Sequence, residues 1–216
     1  MAQELIPGGG EAQFSYVALC ADGSPIASAT ARRTRQYPPD FGHSSSFVET
    51  VDRPEIQEPA RRILSAIRYT GVAELEFKYD RRDRRYKLLD INARLWTWHT
   101  LCERAGMDFP YLMWQFARGE AIPELRARPG VRWVRMSTDL LSAASELFRG
   151  RLSPQAYTRS LRRPIEYALF ASDDPLPAML HLPLSAWRRV SLHNDKRHDK
   201  RHYIRRPGSQ PSSLAG

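Results

Sequence analysis

A short stretch near the middle of the chain places polar residues at every second position of an apolar run. In YKLLDINARLW, residues 86–96, these are Asp90, Asn92 and Arg94. Alternate residues of a β-strand point to the same face, so the three side chains are expected to lie side by side. Such oxygens beside a guanidinium suit a hard cation and an anionic ligand. Alternating polar residues are also typical of the solvated face of an antiparallel sheet, so both interpretations stay open.

A second strand-like run, GVAELEFKYD at residues 71–80, comes just before the first and adds further acids. In this run, the period-2 pattern puts Val72, Glu74, Glu76 and Lys78 on one face. In the later run, it puts Leu88, Asp90 and Asn92 on one face. If the runs pair with Glu76 opposite Asp90, Asn92 falls opposite Glu74, and residues 81–85 form the turn. Four polar groups then converge on one side of a hairpin.

Carboxylates this close together repel unless a positive charge lies between them, and burial would force one of them to take up a proton. A divalent cation resolves the repulsion. Because the donors are oxygens, without cysteine or a nearby histidine pair, Mg²⁺ or Mn²⁺ is favoured over zinc. Magnesium held by few protein oxygens keeps positions open for substrate phosphates, and Arg94 is placed to contact a phosphate oxygen or a developing anion.

The elements that must position these residues can be read from periodicity and turn residues. Asp22-Gly23 separates two strand-like runs and predicts a hairpin. The remaining pattern predicts strands at 14–21 and 26–35, a loop at 37–46, a helix at 54–67, a helical region at 97–118 broken near 108–110, a short strand leading into a helix within 133–148 that starts near Ser137 or Asp139, a helical turn or two at 153–161, and an extended, loop-rich segment at 163–184.

The two runs together resemble the metal-binding end of the ATP-grasp ligases. In that family an acid before a Phe on one strand is followed on the next by an acidic-x-Asn-x-Arg signature, here GVAELEF and DINAR. QELIPGG resembles the family's hinge strand, and RRTRQYPPDFGHSSSFVET its substrate-side arginine strand and loop. The resemblance covers roughly residues 3–120. It implies an α+β fold, the ATP-grasp large subdomain, with an antiparallel β-sheet flanked by helices and a C-terminal extension.

Carried over position by position, the resemblance assigns roles to individual residues. Glu76 and Asp90 are the implied metal-bridging carboxylates, with Asn92 on the second metal. Arg94 is the implied contact of the transferred phosphate, and Arg33 and Arg35 are further candidates for phosphate or carboxylate contacts. The hinge-strand residues expected near adenine or ribose are Gln3, Glu4 and Leu5. The family generally has Glu where this chain has Asp90, which predicts weaker or water-mediated metal binding.

The resemblance implies ATP- and Mg²⁺-dependent activation of a carboxylate as an acyl phosphate, followed by capture by an amine. The family's small subdomain, which supplies lysines to the phosphates, would precede the hinge strand, and the only lysines are at 78, 87, 196 and 200. We therefore expect the large catalytic part of a longer or split enzyme, with a separate N-terminal half or homo-oligomer as partner. The alternative is an inactive remnant that serves as a binding or regulatory module.

Composition bounds the remaining function classes. With 42% hydrophobic and 26% charged residues, the 216-residue chain is expected to fold around a core. No apolar run approaches the roughly 18 to 20 residues that span a bilayer, and two cysteines without a motif favour the reducing cytoplasm. We expect a catalytic subdomain at 1–125, an α/loop extension at 126–187 and a basic tail at 188–216.

The net charge of +9 is concentrated partly in this tail, which repeats Asp-Lys-Arg-His at 195–198 and 199–202. A solvated, disordered tail is the favoured interpretation, because charged low-complexity runs are usually solvated. Loose binding of metal or phosphate, and nonspecific binding of nucleic acid, are the alternatives. No specific nucleic-acid or membrane partner is predicted, and the expected ligands are a small carboxylate and an amine.

Overall fold

The computed structural model describes residues 4–39, 44–162, 164–181, 183–185 and 187. The chain divides into two compact units, Met1–Ala168 and Leu169–Gly216. In the first unit the strands are β1 Gln13–Ala21, β2 Ser24–Tyr37, β3 Ser44–Thr50, β4 Gly71–Asp80, β5 Arg85–Asn92, β6 Leu125–Arg126, β7 Arg132–Val134 and β8 Ile165–Tyr167. The helices are α1 Pro54–Ala66, α2 Thr100–Arg104, α3 Phe109–Ala117, α4 Met136–Phe148 and α5 Pro154–Ser160.

One sheet organises the first unit, with the strand order β5-β4-β1-β2-β3-β7-β8 and β6 beside β2. Five of the pairings are antiparallel, and the two that involve β6 and β8 are parallel. The α+β fold with a helix-flanked sheet is thus confirmed. The sheet is mixed at two short strands. The connection from β7 to β8 runs through α4 and α5, which allows the parallel sense, and β6 follows α3 before it pairs with β2.

Both faces of the sheet are covered, and strand β1 shows why. Phe14, Tyr16, Ala18 and Cys20 alternate with Val17 and Leu19, and all are buried. The first set packs with the apolar stripe of α1, which includes Ile56 and Leu64. The second set packs under the segment from Trp96 to Leu112. A β1 that is apolar on both faces is the pattern expected of a central strand.

Most predicted elements are present, and the differences have local causes. The hairpin at Asp22-Gly23, the helix α1, the break between α2 and α3, and the strand-to-helix passage into α4 are confirmed. The predicted loop at 37–46 is wrong at its end, since β3 begins at Ser44 and its serines pair with β2. The predicted loop-rich segment likewise contains β8 and a helical stretch at 176–181.

A β-bulge in β5 changes the side-chain directions that simple alternation predicts. In β5, Leu89 is extra, since Asp90 lies opposite Glu76 while Leu88 lies opposite Phe77. Opposed residues share a face, so Leu88 lies on the face opposite Asp90, and the prediction that they share one is wrong. The hairpin turn is shortened with it, because Asp80 pairs with Arg85.

The second unit contributes little to the described structure. Its helical stretch at 176–181 carries exposed apolar residues, including Leu176 and Met179. Every described helix of the chain is too short or too polar to span a membrane. The predicted tail at 188–216 lies outside the described residues. The predicted boundaries at 125 and 187 remain predictions.

Candidate functional site

The β4–β5 hairpin brings the predicted acidic residues together in the predicted register. Glu76 lies opposite Asp90, and Glu74 lies opposite Asn92. On the other side of β4, Glu76 faces Ser15 of β1. Because directly opposed residues share a face, all four polar groups of the hairpin project to the side that carries the tryptophan-rich layer. The site therefore lies where the sheet meets that layer.

Hydrogen bonds join four of the candidate residues into a chain. Arg33 Nη1 donates to Glu76 Oε2 at 2.5 Å, and Asn92 Nδ2 donates to Glu76 Oε1 at 3.3 Å. Arg94 Nη2 in turn donates to Asn92 Oδ1 at 3.2 Å. Asp90 is exposed, and its Oδ1 accepts from the backbone N–H of Ile91 at 2.9 Å. The cluster thus combines two carboxylates, an amide and two guanidinium groups.

Ser45 fixes the direction of Arg33. Its Oγ accepts from Arg33 Nε at 2.8 Å, which leaves Nη1 free to reach Glu76. Sequence reasoning missed Ser45 because it assigned this region to a loop. In a strand that begins with three serines, alternation predicts that one hydroxyl points inward. Its partner, Arg33, follows only from the pairing of β2 with β3.

Glu74 is the buried member of the acidic pair on β4, with only 4% of its surface exposed. Burial raises the pKa of the Glu74 carboxyl, and the nearby charge of Glu76 raises it further, while Arg33 and Arg94 oppose the shift. This is the behaviour expected of two neighbouring carboxylates, one buried and one compensated by cations. Glu76, ion-paired with Arg33 and nearer solvent, is the better ligand for a cation.

Arg35 does not join the cluster, and the reason is a β-bulge in β2. Arg33 pairs with Val48, whereas Arg35 pairs with Phe47, so Thr34 is extra and the two arginines lie on opposite faces. Arg35 forms a bidentate ion pair with Asp139 of α4, at 2.8 and 2.9 Å. Its guanidinium also lies over the Phe47 ring, 4.0 Å from the centroid. Arg35 is therefore held in a buried ion pair away from the cluster, and its expected role at phosphate remains a prediction.

Asp139 lies in the first turn of α4, near the helix start as predicted, and it is fully buried. Its carboxylate is the acceptor for Arg35, which is itself only 7% exposed. An acid in a helix with apolar neighbours signals a buried partner, because an unpaired buried charge is strongly unfavourable. The sequence does not indicate which of the arginines of β2 is that partner.

The hinge-strand candidates lie at the far end of the hairpin. Glu4 accepts from Arg82 Nη2 at 2.6 Å and lies 3.5 Å from Lys87 Nζ. Leu5 is 82% exposed, and Gln3 lies outside the described residues. Glu4 is thus part of an ion-pair group around the β4–β5 turn, and the nucleotide role expected for these residues remains a prediction.

The centre of that ion-pair group is Asp80, whose side chain is covered by its neighbours. Arg82 and Lys87 each lie 2.7 Å from its Oδ2. Hydrogen bonds from Arg82 and then from Lys87 hold the pKa of the Asp80 carboxyl well below its usual range. The hairpin turn is therefore fixed by an acid that stays ionised.

A pH dependence follows from Asp80. Because its folded pKa lies below the unfolded value of about 3.9, its stabilisation is complete above that pH and is lost as the pH falls further. We expect Asp80→Asn to lower the melting temperature at neutral pH and to flatten its decline in acid. Thermal melts across the acid range test this prediction. The control is Glu120→Gln, which removes one partner of a surface ion pair with Arg118. Parallel acid profiles of Asp80→Asn and the unchanged chain would contradict the assignment.

The donor chemistry of the cluster fits a hard divalent cation. Glu76, Asp90 and Asn92 all offer oxygens, which Mg²⁺ prefers. In the described part of the chain, no three His, Cys, Asp or Glu side chains are grouped to hold a metal ion, so a cation here would depend on the amide as well as on the two carboxylates. Arg33 already neutralises part of the charge of Glu76 and would compete with such an ion.

One segment of the chain matches a known protein family, and this segment contains most of the cluster. Residues 43–125 match the family described as Carbamoyl-phosphate synthase L chain, ATP binding domain. Over these residues the chain resembles an ATP-grasp ATP-binding domain. Glu76, Asp90, Asn92 and Arg94 lie inside this ATP-grasp-like segment, and Arg33 lies before it. No curated protein sequence matches the chain.

Several solved structures are similar to part of the chain. Biotin carboxylase from Campylobacter jejuni is 17% identical with a TM-score of 0.44, over 56% of this chain and 28% of that one. An L-amino acid ligase from Bacillus licheniformis is 17% identical with a TM-score of 0.40, over 52% of this chain and 29% of that one. For an ATP-grasp superfamily protein from Archaeoglobus fulgidus the values are 15%, 0.39, 60% and 39%. The chain thus spans well under half of each of these proteins.

Proposed function

We propose that the chain supplies the metal- and phosphate-binding side of an ATP-grasp ligase that activates a carboxylate for capture by an amine. The observation that carries the proposal is the connected cluster of Arg33, Glu76, Asn92 and Arg94, with Asp90 opposite Glu76. Its residue types, and the position of Glu76, Asp90, Asn92 and Arg94 within the ATP-grasp-like segment, support this assignment. The ligands are ATP, Mg²⁺ or Mn²⁺, and a small carboxylate and amine.

The proposed reaction has two transfers. An oxygen of the substrate carboxylate attacks the γ-phosphorus of ATP, and the bond to ADP breaks. The amine nitrogen then attacks the acyl carbon, phosphate leaves, and the nitrogen loses a proton. Phosphoryl transfer of this kind depends on positioning and charge neutralisation more than on covalent help from the protein.

The chain's own residues can supply the charge neutralisation that this reaction needs. Arg94 lies at the open end of the cluster, where its guanidinium can hold a phosphate oxygen or the acyl phosphate. Arg33 is held by Ser45 and Glu76 and adds positive charge on the β2 side. Glu76, Asp90 and Asn92 would hold magnesium, which supplies charge neutralisation to the phosphates when bound. Glu74, buried beside Glu76, limits the charge of the cluster when it is protonated.

A second candidate is a binding or regulatory module that works with a separate partner. Two observations favour it: Arg33 engages Glu76, and Arg82 engages Glu4, so candidate ligand groups already have partners within the chain. In this case a separate N-terminal ATP-grasp half, or a second copy of the chain, would complete the nucleotide site. Both candidates are proposed to act in a soluble setting such as the cytoplasm. They differ in whether the cluster binds a metal ion without a partner protein.

The test is Mn²⁺ binding, followed by the relaxation of water protons. The first candidate predicts saturable binding that Mg²⁺ displaces. Arg33→Gln should tighten it by about fivefold, near 1 kcal/mol, because Glu76 loses its competing cation. Asp83→Asn, which removes a carboxylate at the hairpin turn beside Lys87, is the control and should leave it unchanged. No Mn²⁺ binding by either the unchanged chain or Arg33→Gln would exclude the first candidate and favour the second.

A further inference from the structure

Large apolar side chains lie along one side of the helical segment in the second unit. Residues 176–181, 183–185 and 187 are helical. Side chains that follow one another by three, four, four and three residues lie on one side of a helix, because a turn takes 3.6 residues. The residues with this spacing form the C-terminal stripe: Leu176, Met179, Leu180, Leu184 and Trp187. Each of them is between 45% and 70% exposed.

The direction of this stripe is the reverse of that in an ordinary surface helix. Such a helix turns its apolar stripe to the core, as α1 does with Ile56 and Leu64, which are fully buried. In the second unit, the small residue Ala178 and the polar residue His181 are half-buried, while the large apolar side chains are exposed. Apolar side chains exposed together on one surface mark a site of interaction.

The sequence after the stripe indicates the kind of partner. Residues 188–206 include eight Arg or Lys and two Asp, which gives this basic run a net charge of +6 with His neutral. The partner must therefore be anionic, and it must also take up apolar side chains. Nucleic acid meets mainly the first requirement, because its phosphates dominate binding. The surface of an anionic bilayer meets both, since acyl chains lie directly beneath its charged headgroups.

We propose that the C-terminal stripe and the basic run dock the protein on the surface of a bilayer that contains anionic phospholipid. The stripe lies in the interface with its apolar side chains among the acyl chains, and the Arg and Lys side chains contact the lipid phosphates. Trp187, the last residue of the stripe, is of a type enriched at the membrane–water boundary. The sequence alone predicts no membrane partner, because it does not reveal that the stripe is exposed. This docking does not depend on nucleotide binding.

The test is co-sedimentation of the full 216-residue chain with two kinds of vesicle. One is phosphatidylcholine alone, and the other is an equimolar mixture of phosphatidylcholine and phosphatidylglycerol. We expect binding to the mixed vesicles to be at least about tenfold tighter, because the basic run contacts only an anionic surface strongly. This binding should weaken as the salt concentration rises.

Variants assign the binding to the stripe and to the basic run. Met179→Gln combined with Trp187→Gln removes two exposed apolar groups without a change of charge and should weaken binding to the mixed vesicles by about tenfold or more. Lys200→Gln combined with Arg201→Gln should also weaken it by at least about tenfold. Phe148→Gln, at an apolar residue of α4 that is 96% exposed, is the matched control and should bind as the unchanged chain does.

Three results would overturn the proposal. The folded chain could fail to bind the mixed vesicles, it could bind both kinds of vesicle equally, or the folded stripe variant could retain full affinity. In the first case, analytical ultracentrifugation and titration with duplex DNA identify the replacement. Self-association that the stripe variant loses would assign the stripe to a second copy of the chain, and salt-dependent DNA binding that the stripe variant retains would assign the basic run to nucleic acid.

Discussion

Asp139→Asn should lower the free energy of unfolding by about 3–5 kcal/mol, the usual effect of removing one partner of a buried ion pair. The variant leaves the Arg35 guanidinium buried, facing an amide instead of a carboxylate. Arg35 cannot turn to water, because Phe47 lies against one face of its guanidinium and Ser160 accepts from its Nη1. Denaturant unfolding followed by circular dichroism measures the change.

Two further variants separate the effect of the buried pair from a general effect of charge removal. Arg35→Met combined with Asp139→Leu removes both charges and should recover most of the lost stability, because no unpaired buried charge remains. Glu120→Gln, at a surface pair, should change the stability by no more than about 0.5 kcal/mol. A loss below about 1 kcal/mol for Asp139→Asn would contradict the buried pairing of β2 with α4.

Glu76→Gln combined with Asp90→Asn should abolish magnesium-dependent nucleotide binding. Each substitution keeps the side-chain shape and removes one carboxylate ligand. Loss of a single supporting contact typically costs about 10–100-fold in metal affinity, so loss of two ligands should cost at least about 100-fold. Binding of ATP without magnesium should persist or increase, because Arg33 and Arg94 then face fewer negative charges. That opposite response distinguishes a metal role from a general disturbance of the site.

Asp83→Asn is the matched control for this pair, since it removes a carboxylate from the turn of the same hairpin. It should leave both the magnesium-dependent and the magnesium-free binding unchanged. Equal losses in Asp83→Asn and in the double variant would mean that the hairpin's overall charge, and not the Glu76–Asp90 pair, determines nucleotide binding.

The register of the site could be predicted from the sequence because strand alternation has a strict period of two. Glu74, Glu76, Asp90 and Asn92 follow that period, and the short charged turn left one plausible pairing, which the structure confirms. The α1 helix was predictable for the same kind of reason, since its apolar stripe recurs at helical spacing. Local periodicity thus defined the hairpin and the helix on the other face.

The parts that could not be predicted depend on bulges and on distant partners. Arg33 and Arg35 have the spacing of residues on one face, and only the extra residue Thr34 sends them to opposite faces. One arginine therefore reaches Glu76 and the other Asp139. A bulge has no fixed sequence signal in such a strand, and a partner about a hundred residues away is set by tertiary packing. The same limit explains why Ser45 and Asp139 were missed as partners.

The most direct test of the central claim is isothermal titration of the folded, unchanged chain with a nonhydrolysable ATP analogue, with and without Mg²⁺. The proposed metal- and phosphate-binding role of Glu76, Asp90, Asn92 and Arg94 predicts saturable binding that is tighter with magnesium. Binding that is equal in both conditions, or no binding in either, would contradict it.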